Sequence, residues 1–86
     1  MDKNYQILLT KEARKDVEKL SPKLREKLKE LLWSEVAINP YHGKRLVGDL
    51  VGFFSLRLSY RDRVVYSIDE VHHRVYVHRV KTHYGE

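Results

Sequence analysis

Residues 52–68, which read GFFSLRLSYRDRVVYSI, contain the change of pattern that decides the fold. From Gly52 onward, apolar side chains recur at every second position on one face of a strand, and polar ones, with Arg57 among them, lie on the other. A short turn at residues 60–62 leads to a second β-favouring run at residues 63–68. The stretch therefore predicts two adjacent antiparallel strands. Their apolar face begins with Phe54, Leu56 and Leu58.

The chain before this stretch predicts one strand and two helices. Alternation over residues 4–9 indicates a strand, and apolar residues at helical spacing indicate a helix from Thr10, whose hydroxyl can cap it, to about Leu20. Ser21-Pro22 is typical of a second helix start, and Asn39-Pro40 predicts its end because the residue before proline disfavours helical geometry. The two helices are expected to form an antiparallel hairpin.

The remaining segments complete the predicted topology. Residues 42–49 are predicted as a loop, residues 69–73 as a turn, and Arg74 to Thr82 as the last strand. The whole chain, residues 1–86, is predicted to be a single α+β domain. It has an N-terminal strand, a two-helix hairpin and a three-stranded antiparallel meander, with the helices packed on one face of the sheet.

Composition excludes several classes of protein. The chain has 86 residues, 42% of them hydrophobic, which is enough for one small core. It has no cysteine, which excludes disulfides, thiolate catalysis and thiolate metal sites. We find no apolar run long enough to span a membrane and no signal peptide, so we expect a cytoplasmic protein without a membrane partner.

The charge favours an anionic partner. Lys and Arg number 17 against 12 Asp and Glu, which gives a formal net charge of +5 and a pI near 9.6. The helical segment nearly balances its charges, whereas from His42 onward basic residues outnumber acids by more than two to one. This distribution is typical of proteins that bind nucleic acid, although a merely basic soluble protein would also show it.

Basic and aromatic side chains recur on the polar positions of the meander. Arg57 and Arg63 lie close together across a turn, and residues 79, 81 and 83 share one parity along the last strand. Guanidinium groups bind phosphate, histidine exchanges protons near neutral pH, and tyrosine stacks on bases, so the pattern suits phosphodiester cleavage. Solvated arginines that protect a sheet edge from aggregation are the alternative explanation. No phosphate-binding glycine loop, metal-ligand spacing or cofactor motif is present.

Three features together resemble a known family. Residues 52–58 read Gly-Phe-Phe-Ser-Leu-Arg-Leu with Leu50 two residues before them, residues 63–66 read Arg-Val-Val-Tyr, and the chain ends near His83-Tyr84. In this order and at these distances, they resemble toxins of the RelE/ParE superfamily, and in particular RelE- and YoeB-type mRNA interferases of type II toxin–antitoxin systems. The likeness extends over nearly the whole chain.

The resemblance implies a function and a set of site residues. It implies an endoribonuclease that cleaves mRNA in the ribosomal A site by attack of the ribose 2′-hydroxyl, without metal or cofactor. Arg63 would bind the scissile phosphate, Arg57 would be a second basic residue, His83 would transfer protons, and Tyr84 would orient or stack on the substrate. Lys44 stands where YoeB-like toxins have a glutamate proposed as general base, so His83 is the expected base here.

The resemblance also implies partners and leaves two other functions open. We expect five further basic residues to bind RNA, and a partner antitoxin to lie across the helices and the sheet edge, with an acidic segment suited to the positive charge. One alternative is a ParE-like toxin that inhibits DNA gyrase, and the other is a basic RNA-binding module without catalysis. The further RNA-binding residues are Lys44, Arg45, Arg61, Arg79 and Lys81.

Overall fold

The computed structural model describes residues 4–82, with Thr82 described by its backbone alone. A π-helical turn at Leu32–Val36 and short 3-10 turns at Pro40–His42 and Gly48–Leu50 supplement the helices and strands. The elements in chain order are β1 (Gln6–Leu9), α1 (Lys11–Glu18), α2 (Pro22–Leu31), β2 (Lys44–Arg45), β3 (Phe53–Arg57), β4 (Asp62–Asp69) and β5 (Arg74–Thr82).

The strands form one five-stranded sheet in the order β1-β5-β4-β3-β2. The predicted meander of β3, β4 and β5 is confirmed as consecutive antiparallel pairs. The N-terminal strand β1 pairs parallel to β5. The two helices return the chain to the end of the sheet at which β1 began, so the meander starts there and its third strand runs in the same direction as β1. The sheet is therefore mainly antiparallel, as predicted, with one parallel pair at its edge.

Both helix starts form as the sequence predicts. The Thr10 hydroxyl accepts a hydrogen bond from the Ala13 N–H at 3.1 Å, and the Ser21 hydroxyl accepts one from the Leu24 N–H at 3.2 Å. Each hydroxyl satisfies a backbone donor that has no partner within its own helix. The second helix continues beyond α2 into the π-helical turn and has ended before Pro40.

The segment at residues 42–49 corrects one prediction. It was expected to be a loop, but Lys44 and Arg45 form β2, which pairs antiparallel with Ser55 and Phe54 of β3. Two charged residues have no apolar alternation to reveal a strand, so only the pairing with β3 defines it. The prediction therefore placed four strands where the structure has five.

The helices pack on one face of the sheet, as predicted. The core joins apolar side chains of α1, α2 and the π-helical turn to the inward positions of β3, β4 and β5. Among residues 4–82, Tyr66 is the largest side chain without solvent exposure, and within that range no helix of the core lies on the opposite side of the sheet. The core comprises Ala13, Leu28, Leu32, Val36, Phe54, Leu58, Val64, Tyr66, Val75, Val77 and Val80.

A buried carboxylate fastens α1 to β5. Asp16 accepts hydrogen bonds from Arg79 Nε at 2.8 Å and Nη2 at 3.1 Å, and from the Val80 backbone N–H at 2.9 Å. β1 pairs with β5 only as far as Val77, so the carboxylate takes the place of a strand carbonyl beyond that point. The hydrogen bonds from Arg79 hold the pKa of Asp16 below its ordinary value of 3.8.

We expect Asp16→Asn to lower the free energy of unfolding by about 1–3 kcal/mol at neutral pH, because it weakens charge-assisted hydrogen bonds to a nearly buried group. A carboxyl group whose pKa is lower in the folded state stabilises the fold at pH values above its unfolded pKa. This contribution is lost as the pH falls through the folded pKa. Urea unfolding from pH 7 downward should therefore show the wild type and Asp16→Asn converging in stability below pH 3.8.

Glu18→Gln is the matched control, because Glu18 lies on the same helix with its side chain exposed. This variant should unfold at the wild-type urea concentration throughout the series. Parallel curves for the wild type and Asp16→Asn at every pH would show that Asp16 does not titrate with folding.

Candidate functional site

Three cations lie side by side on the sheet face opposite the helices, which we call the open face. Arg57 of β3 is the direct cross-strand partner of Arg63 of β4, and Arg63 is that of Lys81 of β5. Direct partners on one face have Cβ atoms roughly 4.5–5.5 Å apart, and like charges so placed are destabilising. We call these three residues the cationic row. An anion bound across the row would remove the repulsion.

The neighbouring row on the open face has small side chains at its centre. Its members are Lys44 of β2, Ser55 of β3 and Val65 of β4, which are cross-strand partners in that order. Ser55 is buried and Val65 is half-buried, so larger neighbouring side chains cover much of this row. Lys44 adds a fourth positive charge at the edge, and Val65 pairs in turn with Arg79.

Each end of the cationic row borders a cleft whose lining includes carboxylates. Arg57 lines a cleft of about 310 Å³ together with Glu30 and Glu35 of the helical layer. Lys81 lines a larger cleft of about 520 Å³, whose walls include Asp16 and Asp62. Among residues 4–82, Arg63 forms no ion pair. Arg57 likewise forms no ion pair in this range, so neither arginine of the row has its charge neutralised by the described part of the protein.

The other predicted site residues lie apart from the row. Arg79 uses its guanidinium to bind Asp16, and the Arg45 guanidinium lies 5.4 Å from the ring centroid of Phe54 at the sheet edge. Arg61 is exposed in the turn between β3 and β4. Of the five further RNA-binding residues expected from the sequence, the register places Lys44, Arg79 and Lys81 on the open face, and Arg79 binds Asp16 there with its guanidinium. The predicted catalytic residues His83 and Tyr84 lie outside the described residues.

The structure adds a cluster that sequence reasoning did not assign to the site. β5 contains a bulge where Val65 pairs with Arg79 and Tyr66 with Val77, so that His78 is the extra residue. The His78 imidazole lies 2.8 Å from the Ser67 hydroxyl through its Nε2 atom. Burial lowers the pKa of His78 below its ordinary value. The sequence contains one sign of this bulge: two polar residues lie between Val77 and Val80, whereas strict alternation of apolar and polar residues would place a single polar residue there.

A buried tyrosine positions β2 and hence Lys44. The Tyr66 hydroxyl donates a hydrogen bond to the Pro40 carbonyl at 2.6 Å, and burial raises the pKa of Tyr66 to about 12. Gly43 passes over the same hydroxyl so closely that a Cβ atom there would lie 2.2 Å from the Tyr66 oxygen. The backbone therefore enters β2 at one fixed position above the core.

The arrangement can bind an extended polyanion, with guanidinium groups able to stabilise charge that develops on a phosphate. Within residues 4–82, no group of three His, Cys, Asp or Glu side chains is placed to hold a metal ion. In the same range, no helix has both the length and the apolar character that crossing a bilayer requires.

Comparisons with known proteins agree on one class. A family model described as ParE-like toxin of type II bacterial toxin–antitoxin system matches residues 7–85. Toxin RelE of Mycobacterium tuberculosis (strain ATCC 25618 / H37Rv) is 37% identical over 75 residues, which cover 86% of this chain and 76% of the relative.

Solved structures show the same likeness. The toxin–antitoxin complex RelBE2 from Mycobacterium tuberculosis superimposes with a TM-score of 0.85 at 32% identity, covering 93% of this chain and 92% of the other. The YoeB–YefM complex from Staphylococcus aureus gives a TM-score of 0.77 at 25% identity, with coverages of 93% and 98%.

The fold and these matches define a small α+β toxin of the type II toxin–antitoxin class. The chain belongs to the ParE-like toxin family, and it is similar to RelE and YoeB within that family. The family resemblance predicted from residues 50–66 and the chain end is thereby confirmed, as is the predicted fold class.

The contact between Gly43 and Tyr66 yields a test of how β2 is held. We expect Gly43→Ala to destabilise the fold by about 1–3 kcal/mol, because the new methyl group overlaps the Tyr66 hydroxyl. Tyr66→Phe should cost roughly 1–3 kcal/mol by leaving the Pro40 carbonyl without its donor. The double variant should lose less stability than the sum, since removing the hydroxyl creates room. Strict additivity in urea unfolding would contradict this contact.

Proposed function

We propose that this toxin is an endoribonuclease that cleaves mRNA with the scissile phosphate bound at the cationic row. The observation that carries the proposal is the placement of Arg57, Arg63 and Lys81 on successive strands of an open sheet face. Keeping three like charges in one row costs stability, and a phosphodiester backbone is a partner that would compensate them. The likeness to RelE and YoeB supports the same activity.

The proposed reaction needs no external co-reactant. The ribose 2′-oxygen attacks the adjacent phosphorus and its proton passes to a general base. The bond from phosphorus to the 5′-oxygen breaks, and that oxygen receives a proton. The products are a 2′,3′-cyclic phosphate and a free 5′-hydroxyl. Negative charge grows on the non-bridging oxygens in the transition state, where a guanidinium group from Arg63 would stabilise it.

The remaining roles follow from the family resemblance. His83 would move the protons and Tyr84 would orient or stack on the nucleotide, with Lys44 holding a flanking phosphate from β2. Arg57 and Lys81 would bind the backbone on either side of Arg63. The proposed substrate is mRNA held in the ribosomal A site, which would present single-stranded nucleotides to an open sheet face.

We expect Arg63→Ala to reduce transcript cleavage about 10²–10³-fold, the usual loss when one transition-state donor is removed. Arg63→Lys should recover part of the activity because it keeps the charge and loses bidentate binding. The measurement is mapping of transcript ends after expression in cells, together with growth, and cleavage of mRNA on purified ribosomes.

Arg14→Ala is the control for this experiment, since it removes one arginine from an exposed position on α1. It should leave cleavage at the wild-type level. Full cleavage by Arg63→Ala would refute the phosphate site. Growth arrest with DNA damage signalling and intact transcripts would instead favour inhibition of DNA gyrase.

We also propose that an antitoxin binds an apolar groove between β1 and the helices. The groove has a volume of about 280 Å³, and its rim carries Arg25 and Lys29. Trp33 at its edge is 54% exposed, which is unusual for a residue of this size beside a core. RelBE2 and YoeB–YefM are toxin–antitoxin complexes, which supports such a partner. The groove is lined by Ile7, Leu9, Val17, Leu28, Leu32 and Trp33.

The proposed occupant is an amphipathic antitoxin helix with apolar anchors and acidic flanking residues, because the rim of the groove is basic. We expect Trp33→Ala to weaken binding of the antitoxin encoded beside this toxin at least tenfold, as loss of a buried aromatic anchor usually does. Isothermal titration calorimetry would measure it. Tyr60→Ala, at a side chain 89% exposed in a turn, is the control. Equal affinities of the two variants would place the antitoxin elsewhere.

A further inference from the structure

The open face carries a second feature beyond the cationic row, which we call the ring cluster: Phe53, Ser67 and His78. The Phe53 and His78 rings meet edge to face, with centroids 5.0 Å apart and planes at 80°. Ser67 is the direct cross-strand partner of Phe53 and lies at hydrogen-bond distance from His78. All three side chains are partly exposed, and the core helices pack on the other side of the sheet.

The ring cluster shares a strand pair with the cationic row. Phe53 lies four residues before Arg57 on β3, and Ser67 lies four residues after Arg63 on β4. At about 3.4 Å per residue, the separation along the strands is roughly 14 Å. The Ser55–Val65 pair lies between the two features. A single strand of nucleic acid that leaves the cationic row at Arg63 and continues along β3 and β4 would pass over the ring cluster.

The bulge at His78 leaves the imidazole on the open face and adds Arg79 to the same face. Regular alternation after Val77 would have placed residue 78 on the open face and residue 79 on the core face. Because of the extra residue, residues 78 and 79 both lie on the open face, and Val80 returns to the core face. Bulges commonly redirect a side chain near functional sites. The lowered pKa of His78 keeps its ring neutral at neutral pH, so one ring nitrogen donates a hydrogen bond and the other accepts one. Nε2 faces Ser67, and among the described residues Nδ1 has no hydrogen-bond partner.

We propose that the ring cluster is a subsite for a nucleobase of the RNA strand whose phosphate binds at the cationic row. This inference rests on the proposed function, because it takes the bound strand to be RNA. The Phe53 ring supplies a surface on which a base can stack. The free nitrogen of His78, oriented by Ser67, supplies a hydrogen-bonding group that can distinguish one base edge from another. The ring cluster would thereby set part of the sequence preference of cleavage.

Uncleavable oligonucleotides test the subsite separately from catalysis. We would measure the binding of the full chain to four 2′-O-methyl homo-oligonucleotides, one for each base, by fluorescence anisotropy. A 2′-O-methyl group cannot attack the phosphate, so affinity is read without cleavage. The wild type should prefer one base, and Ser67→Ala and His78→Phe should remove that preference. Phe53→Leu should weaken binding of the preferred oligonucleotide by about fivefold to hundredfold.

His72→Phe is the matched control, because His72 is an exposed histidine in the turn between β4 and β5 whose ring binds Asp69. It should keep both affinity and base preference. Thermal unfolding would show whether His78→Phe folds. If it does not, His78→Gln, which retains a hydrogen-bonding side chain, tests the role of His78 in base preference instead. This variant should change the order of preference among the four oligonucleotides.

The outcomes separate this inference from the proposed function. Unchanged base preference in the folded His78 and Ser67 variants would overturn the subsite, even if Arg63→Ala abolishes cleavage. Loss of preference in these variants would establish the subsite even if the wild type cleaved no transcript. Equal affinity of the wild type for all four oligonucleotides, with no change in Phe53→Leu, would also overturn it.

Discussion

The register between β3, β4 and β5 is the constraint on which the site depends. Alternating apolar residues bury one face of these strands, and a slip by one residue would exchange the buried face for the exposed one. Burial of Val64 and Tyr66 therefore fixes where Arg63 must lie. The same pairing aligns Arg57 and Lys81 with it, so the hydrophobic core determines the spacing of charges on the opposite face.

Two further contacts hold the ends of this arrangement. Asp16 fastens β5 beyond the end of β1, at the level where Arg79 and Val80 have β4 on one side and no strand on the other. Tyr66 holds the backbone that leads into β2 and places Lys44 beside Ser55. In both cases a buried polar group finds its hydrogen-bond partners in a distant part of the chain, which is the condition for burying such a group at low cost.

Charge and exposed apolar surface divide the molecule between two kinds of partner. The open face combines cations with partly exposed rings, which suits a single-stranded polyanion. The groove beside Trp33 is mainly apolar with a basic rim, which suits an amphipathic helix with acidic flanks. Because the two surfaces are built from different elements, a substitution in one should leave the other intact.

The sequence by itself determined the fold class, the helix caps, the meander and the two arginines on its polar face, because local alternation and capping chemistry are properties of neighbouring residues. It did not determine β2, since two charged residues become a strand only by pairing with Phe54 and Ser55. Sequence reasoning grouped Arg79 with the RNA-binding residues, whereas the fold pairs its guanidinium with Asp16 on α1. Contacts between residues far apart in the chain, such as those of Asp16 with Arg79 and of Ser67 with His78, arise only when the tertiary structure brings the elements together.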